Sequence, residues 1–318
     1  MRMIDQKVKR FIIDSRVLII LVFVCVLVQL LNPFFLDGKN IKNILLYISI
    51  EGIIAIGMTL LIILGEIDLS VGATMSLGCT AAIYLQQSGI FVAVLCSLLA
   101  GTAVGALNGF LSVRFRLNSM PVTLATNFLV RGIVFVITKS QSVPGQNPAF
   151  HLVSDFTIFN IELVIYIFIG FIALASFLLK KTYYGRCVYA IGGNKSASAY
   201  SGIRVNRYRI LTFMVSGLLA GVAGALTAAR YNIASGLIGQ QTALAVITAV
   251  LLGGVSLSGG EGTVLKAFFG FLLIGVLENA MNLLKFLPPL QPIIIGSLLI
   301  VTLAADARTL RALALRMR

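Results

Sequence analysis

The chain has 318 residues, 58% of them hydrophobic and only 11% charged, and its mean hydropathy is +1.00. A soluble domain carries roughly 25% charged residues, so this composition calls for a bilayer as solvent and leaves no room for a globular catalytic domain. The net charge of +14 sits in short Lys and Arg blocks between apolar runs, a topology pattern that argues against a nucleic-acid partner.

The first apolar run, near residues 17–31, follows Lys7, Lys9 and Arg10 and closes with Asn32, Pro33, Phe34 and Phe35. It lacks the small-residue cleavage site of a signal peptide and reads as a retained helix. Apolar runs with turn or charge boundaries predict ten spans, near 16–36, 44–64, 69–87, 90–113, 121–138, 161–180, 210–230, 243–257, 264–286 and 291–305. Only a short polar turn separates the second and third, so a broken or re-entrant helix remains an alternative there. The expected organisation is a tail over 1–15, a transmembrane region over 16–305 with a polar loop at 181–209, and a second tail over 306–318.

An even span number places both termini on one side. With that side cytoplasmic, 19 of the 25 Lys and Arg residues fall on cytoplasmic segments. The long connection contributes Lys180, Lys181, Arg186, Lys195, Arg204, Arg207 and Arg209, and the C-terminus contributes Arg308, Arg311, Arg316 and Arg318. Lys39, Lys42, Lys139, Arg230 and Lys285 fall outside, and Arg131 falls within a span.

Two glycine clusters echo each other. Residues 65–72 and 253–260 both read Gly-x-x-x-Leu-Ser-x-Gly, carrying Asp68, Ser70 and Gly72 in the first and Gly254, Ser258 and Gly260 in the second. They read either as tight helix turns or as a transporter repeat beside a transport path. The second lacks the Gly-Lys-Ser/Thr ending of a phosphate loop, so any ATP and magnesium would be held by another subunit, and no bound cofactor is expected. The single histidine, His151, excludes a His-based metal cluster, and Cys25, Cys79, Cys96 and Cys187 have neither paired nor metal-type spacing.

Gly101, Gly105 and Gly109 recur every four residues, and Gly217 and Gly221 repeat that spacing. Small residues on one helical face let backbones approach in lipid. Ionisable residues inside spans cost several kcal/mol unless paired or hydrated. Glu51, Arg131 and Glu278 are such residues, accompanied by the amides Asn108, Asn127, Asn279 and Asn282. They read as a translocation path or as buried pairs that set helix register. Arg131, just before Gly132, leans to the structural role, whereas Glu278 with Asn279 and Asn282 leans to the path, joined by Asn108.

The connection 180–209 contains Gly192 and Gly193, then Asn194, Ser196, Ala197, Ser198, Ala199, Ser201 and Gly202. Asn194 is a good helix N-cap and Gly202 a good C-terminal stop, with room for about two turns between them. This short, small-residue helix reads either as a segment that docks in a groove on a partner or as an interfacial connector.

Five segments in order resemble the permease subunits of ribose-type ABC sugar importers. They are residues 65–72; Thr123-Leu124-Ala125 with Arg131-Gly132; Gly185-Arg186 through Asn194; Ser201-Gly202-Ile203; and 253–260. The resemblance covers residues 45 to 305. It implies an all-α, type II importer permease in a bacterial inner membrane, with no catalytic residues of its own. It implies a cytoplasmic ATP-binding subunit, a second permease copy or homologue, and a periplasmic or lipid-anchored solute-binding protein. Residues 194–203 would then be the coupling helix, and the cargo a small polar solute, a monosaccharide first. Nucleosides, branched-chain amino acids and ion-coupled secondary transport are the alternatives. The chain departs from the family pattern at Lys266 and Glu278, where small residues are usual, and at Glu66, where glycine is more frequent.

Overall fold

The computed structural model describes the backbone of residues 2–316, with side chains placed from Val17 to Ala304 except Leu152. The two basic tails of the sequence reading therefore lie outside the described side chains. The helices are α1 (Arg2–Leu31), α2 (Gly38–Leu64), α3 (Val71–Leu85), α4 (Ile90–Arg114), α5 (Ser119–Thr138), α6 (Leu152–Asp155) and α7 (Leu163–Lys181). They continue with α8 (Tyr183–Gly193), α9 (Lys195–Tyr200), α10 (Val205–Tyr231), α11 (Thr242–Leu252), α12 (Val264–Leu283) and α13 (Leu290–Arg316). Each of the ten apolar runs falls on a helix.

Among the described residues, six helices, α2, α4, α5, α7, α10 and α12, are long and apolar enough to cross a membrane. At 1.5 Å per residue, α3 with 15 residues and α11 with 11 are shorter than the roughly 30 Å hydrocarbon core. α11 ends about five residues before the run predicted it, because Gly253 and Gly254 turn the chain there, Gly254 at φ +90°.

α2 is the axis of the molecule. It is apolar on all sides, the pattern of a helix enclosed by others, and 89% of its apolar window is buried. The windows of α4, α5 and α7 are only 28% buried and present their apolar faces outward. α2 admits close neighbours where its side chains are small. A Cβ on Gly57 would stand 3.0 Å from the Ser216 backbone of α10, and one on Gly52 would meet the Phe168 ring of α7 at 2.5 Å.

The two glycine faces recognised in sequence pack against each other. A Cβ at Gly105 would lie 3.2 Å from the Gly217 Cα, and one at Gly101 2.8 Å from the Gly221 nitrogen. At this backbone-to-backbone distance, van der Waals contact holds α4 and α10 together without any help from exclusion of water.

Among the described residues, four two-residue strands order the connections at the opposite ends of the helices from α9. β1 (Val143–Pro144) pairs antiparallel with β4 (Ile233–Ala234), tying the segment after α5 to the one after α10. β2 (Thr157–Ile158) and β3 (Ile161–Glu162) form a hairpin. Its turn residues Phe159 and Asn160 both have positive φ, +50° and +61°, as a tight two-residue turn requires.

Candidate functional site

The loop expected at 181–209 is built of two helices. Thr182 caps α8 by accepting a hydrogen bond from the Gly185 amide (3.3 Å), and Asn194 caps α9 by accepting from the Ala197 amide (2.9 Å). Gly202 closes the far end at φ +81°, while the Ser201 hydroxyl donates to the Ala197 carbonyl at 3.0 Å. Between those ends α9 runs for six residues. Only Ser198 turns inward; Ser196, Ala197, Ala199 and Ser201 are exposed, and Tyr200 is 94% exposed.

α8 anchors this helix to the body. Its Tyr189 hydroxyl donates to the Gly262 carbonyl (2.7 Å), and Tyr184 is hydrogen-bonded to Thr212 of α10 (2.8 Å). At the end of α8, Gly192 rests directly on the Ile63 carbonyl, so that a Cβ there would overlap that oxygen and stand 2.5 Å from the Gly260 nitrogen. The Gly260 amide donates to the same Ile63 carbonyl at 2.8 Å. A Cβ on Gly260 would lie 2.8 Å from Gly193, and one on Gly259 3.1 Å from Gly65. The three glycine-bearing segments, far apart in sequence, thus converge on one junction directly beside α9. Gly65, Gly259 and Gly260 also take positive φ, which glycine adopts without steric cost.

Charge crosses the same junction. Glu66, only 8% exposed, accepts from the Arg209 Nε at 2.5 Å and lies 3.9 Å from the Lys195 ammonium on α9. Burial and the neighbouring Arg209 push the Lys195 ammonium below its usual pKa, against the pull of Glu66.

Beyond Glu66 the chain runs without regular structure to α3, held from two sides. The hydroxyls of Ser119 and Thr123 on α5 accept from the Ile67 and Leu69 amides at 3.2 and 3.0 Å. Asp68 accepts from both the amide and the hydroxyl of Ser70 (2.8 and 2.6 Å), and Asn108 of α4 donates to the Ser70 hydroxyl (2.8 Å). Asp68, Ser70 and Asn108 are all buried, which sets Asn108 in this network and apart from the other three residues read as a path. Gly72 packs on the Gly239 carbonyl. Arg131 spreads its guanidinium over the carbonyls of Gly236, Ile238 (3.2 Å) and Gly239 (3.3 Å), bracing the segment that leads into α11.

Glu278, Asn279 and Asn282 line one stretch of α12. Asn279 exchanges two hydrogen bonds of 2.9 Å with Asn40 of α2, and Asn282 accepts from Gln291 at 2.7 Å. Deeper along α2, the Tyr47 side chain faces both Glu278 and Glu51. Glu51 also accepts from Thr242 of α11 at 3.1 Å, and its second oxygen is buried without a hydrogen-bond partner among the described residues. Amides at the end of α12 thus lead to two acids between α2, α11 and α12. Asn40, Tyr47, Thr242 and Arg209 were not singled out as partners from sequence: a lone polar residue in a span gives no signal of the residue opposite it. Gly254 begins the turn after α11, and the Ser258 amide there donates to Ser256 at 3.3 Å.

An enclosed apolar helix surrounded by outward-facing apolar ones, with polar groups gathered inside and one capped helix projecting, defines a polytopic membrane permease. The chain belongs to the family described as the branched-chain amino acid transport system / permease component, which it matches over residues 40–303. It is 36% identical to the ribose import permease protein RbsC of Haemophilus influenzae, over 94% of this chain and 95% of that protein. Against the ribose import permease of Escherichia coli K12 the identity is 35%, with the same coverage of both chains. Against the L-arabinose ABC transporter permease protein AraH of Azospirillum brasilense it is 35%, over 86% of this chain and 81% of that one. No solved structure matches the chain.

Proposed function

We propose that this protein is the membrane-spanning subunit of an ATP-driven importer that brings a monosaccharide into the bacterial cytoplasm. The observation that carries the mechanism is α9: a capped, exposed helix seated on the junction of α2, α8 and the loop after α11. Relatives named for ribose and arabinose support a pentose as the first cargo to test. In this reading all ten apolar runs lie in the bilayer, and both termini are cytoplasmic, as the Lys and Arg distribution favours. The short α3 and α11 span it together with the turns that flank them. A cytoplasmic ATPase subunit binds nucleotide and magnesium and receives α9 in a surface groove. A second permease copy or homologue completes the path, and a solute-binding protein delivers cargo from outside.

Closure of the ATPase displaces α9. The glycine contacts around Gly192 and Gly260 leave no compressible side chains in the junction, so the displacement passes to the end of α2 and to the α11–α12 loop. Nucleotide then shifts the population between outward- and inward-open states through its different affinity for each. Glu278, Asn279 and Asn282, with Glu51 and Tyr47, offer the hydroxyl-accepting groups along the route.

Co-purification with the ATPase subunit tests this. Ala199→Asp places a charge at the centre of the docking helix, and burying it without a partner costs several kcal/mol. The expected result is a stable wild-type complex and none with the variant, both permeases remaining folded. Failure of any ATPase to associate with the wild type, together with uptake that persists without ATP, would assign the Glu51 and Glu278 pair to ion-coupled transport instead.

A further inference from the structure

Beside α9 the surface opens into a cavity of about 670 Å³ at the start of α10. Arg204, Arg207, Tyr208, Leu211 and Met214 line it from α10 and the residue before it, and Tyr183 from the start of α8. The spacing i, i+3, i+4, i+7 and i+10 sets the five on one helical face. Along that face the chemistry changes over roughly 15 Å, from two guanidiniums through a phenol to apolar side chains.

The two arginines are exposed, and among the described residues neither has an ion pair or a hydrogen-bonded side-chain partner. Among the described residues, no carboxylate lines the cavity. Arg186 adds a third cation at its edge, 5.6 Å over the Tyr183 ring. Leu211 is 44% exposed on a helix whose apolar window is otherwise 67% buried.

We propose that this cavity binds an anionic phospholipid, its phosphate headgroup between Arg204 and Arg207 and an acyl chain along Leu211 and Met214. Basic pockets where helices leave the cytoplasmic face of a membrane suit acidic headgroups. Free phosphate would leave the apolar half of the cavity unused. A soluble partner does not reach that half, because it lies on a helix that enters the hydrocarbon. The proposal rests on α10 crossing the bilayer with its Arg204 end cytoplasmic, and it is independent of which solute is carried.

The test is native mass spectrometry of the purified full chain titrated with dioleoylphosphatidylglycerol, dioleoylphosphatidylcholine or inorganic phosphate. The wild type is expected to retain phosphatidylglycerol selectively. At about 1 kcal/mol per basic residue near an anionic surface, the Arg204→Ala/Arg207→Ala variant should bind it about 30-fold more weakly. Arg204→Lys/Arg207→Lys should recover most of that loss, which separates headgroup binding from misfolding. Equal phosphatidylglycerol retention by wild type and the alanine variant overturns the proposal, as does a lysine variant that recovers nothing. Phosphate binding of the same strength as lipid would identify a simple anion site. A variant that keeps the lipid but loses the ATPase subunit would assign the arginines to protein docking.

Discussion

The Arg209 Nε meets a Glu66 carboxylate oxygen at 2.5 Å, joining the start of α10 to the turn after α2 across 143 residues of sequence. Both side chains are buried, and Lys195 reaches the same oxygen from α9. This ion pair therefore spans the junction on which α9 rests.

Removing one partner of a buried pair leaves the other charge without compensation, at a cost of about 3 kcal/mol or more. Glu66→Gln should lower the thermal midpoint of the detergent-purified protein clearly. Glu66→Gln/Arg209→Met, which removes both charges, should recover a large part of the loss. A double variant as unstable as the single would show that the pair itself, rather than the stranded charge, supplies the stability.

Gly105→Ala should destabilise, since its Cβ would overlap the Phe213 carbonyl and lie 3.2 Å from Gly217. Overpacking of this kind costs about 1–3 kcal/mol. Gly170→Ala, on α7 with nothing within 4 Å, should be neutral or stabilising by up to about 1 kcal/mol through helix propensity. Thermal melts of the two variants side by side check the contrast, and similar shifts in both would contradict the backbone contact between α4 and α10.

Arg131→Lys keeps the charge but loses the planar fork that reaches three carbonyls. Hydrogen bonds to charged groups contribute about 1.5–3 kcal/mol, so the segment 235–241 should open more readily. Hydrogen–deuterium exchange over that segment should accelerate in the variant. Unchanged exchange would mean that Gly72 and Thr242 alone hold it.

On the proposed path, Glu51→Gln and Glu278→Gln should each reduce uptake of the proposed pentose cargo about tenfold, the effect of losing one interaction of roughly 1.4 kcal/mol. Association with the ATPase subunit should be unaffected, because both acids lie far along α2 and α12 from α9. Uptake at wild-type rates in both variants would remove the pair from the path.

Much of the architecture is legible in the chain. Runs of apolar residues predict helices at ten places, because a helix satisfies its backbone hydrogen bonds within a single segment, as lipid demands. Asn194 and Gly202 mark the ends of α9 through local capping chemistry, and Gly101, Gly105 and Gly109 mark a contact face through their spacing alone. These are short-range signals, each complete within a few residues.

Which of those features meet is settled only by how the helices pack. No local pattern pairs Gly105 with Gly217, Glu66 with Arg209, or Glu51 with Thr242, because each partner satisfies its own helix and differs little from other small or polar residues nearby. The same limit hid the hydrogen bond from Asn108 to Ser70, and it hid α8 inside what looked like a loop. Burial in a membrane protein is set by which helices close around α2. That choice belongs to the packing of all of them at once, since lipid is as apolar as any helix face and the sequence pattern alone does not separate the two.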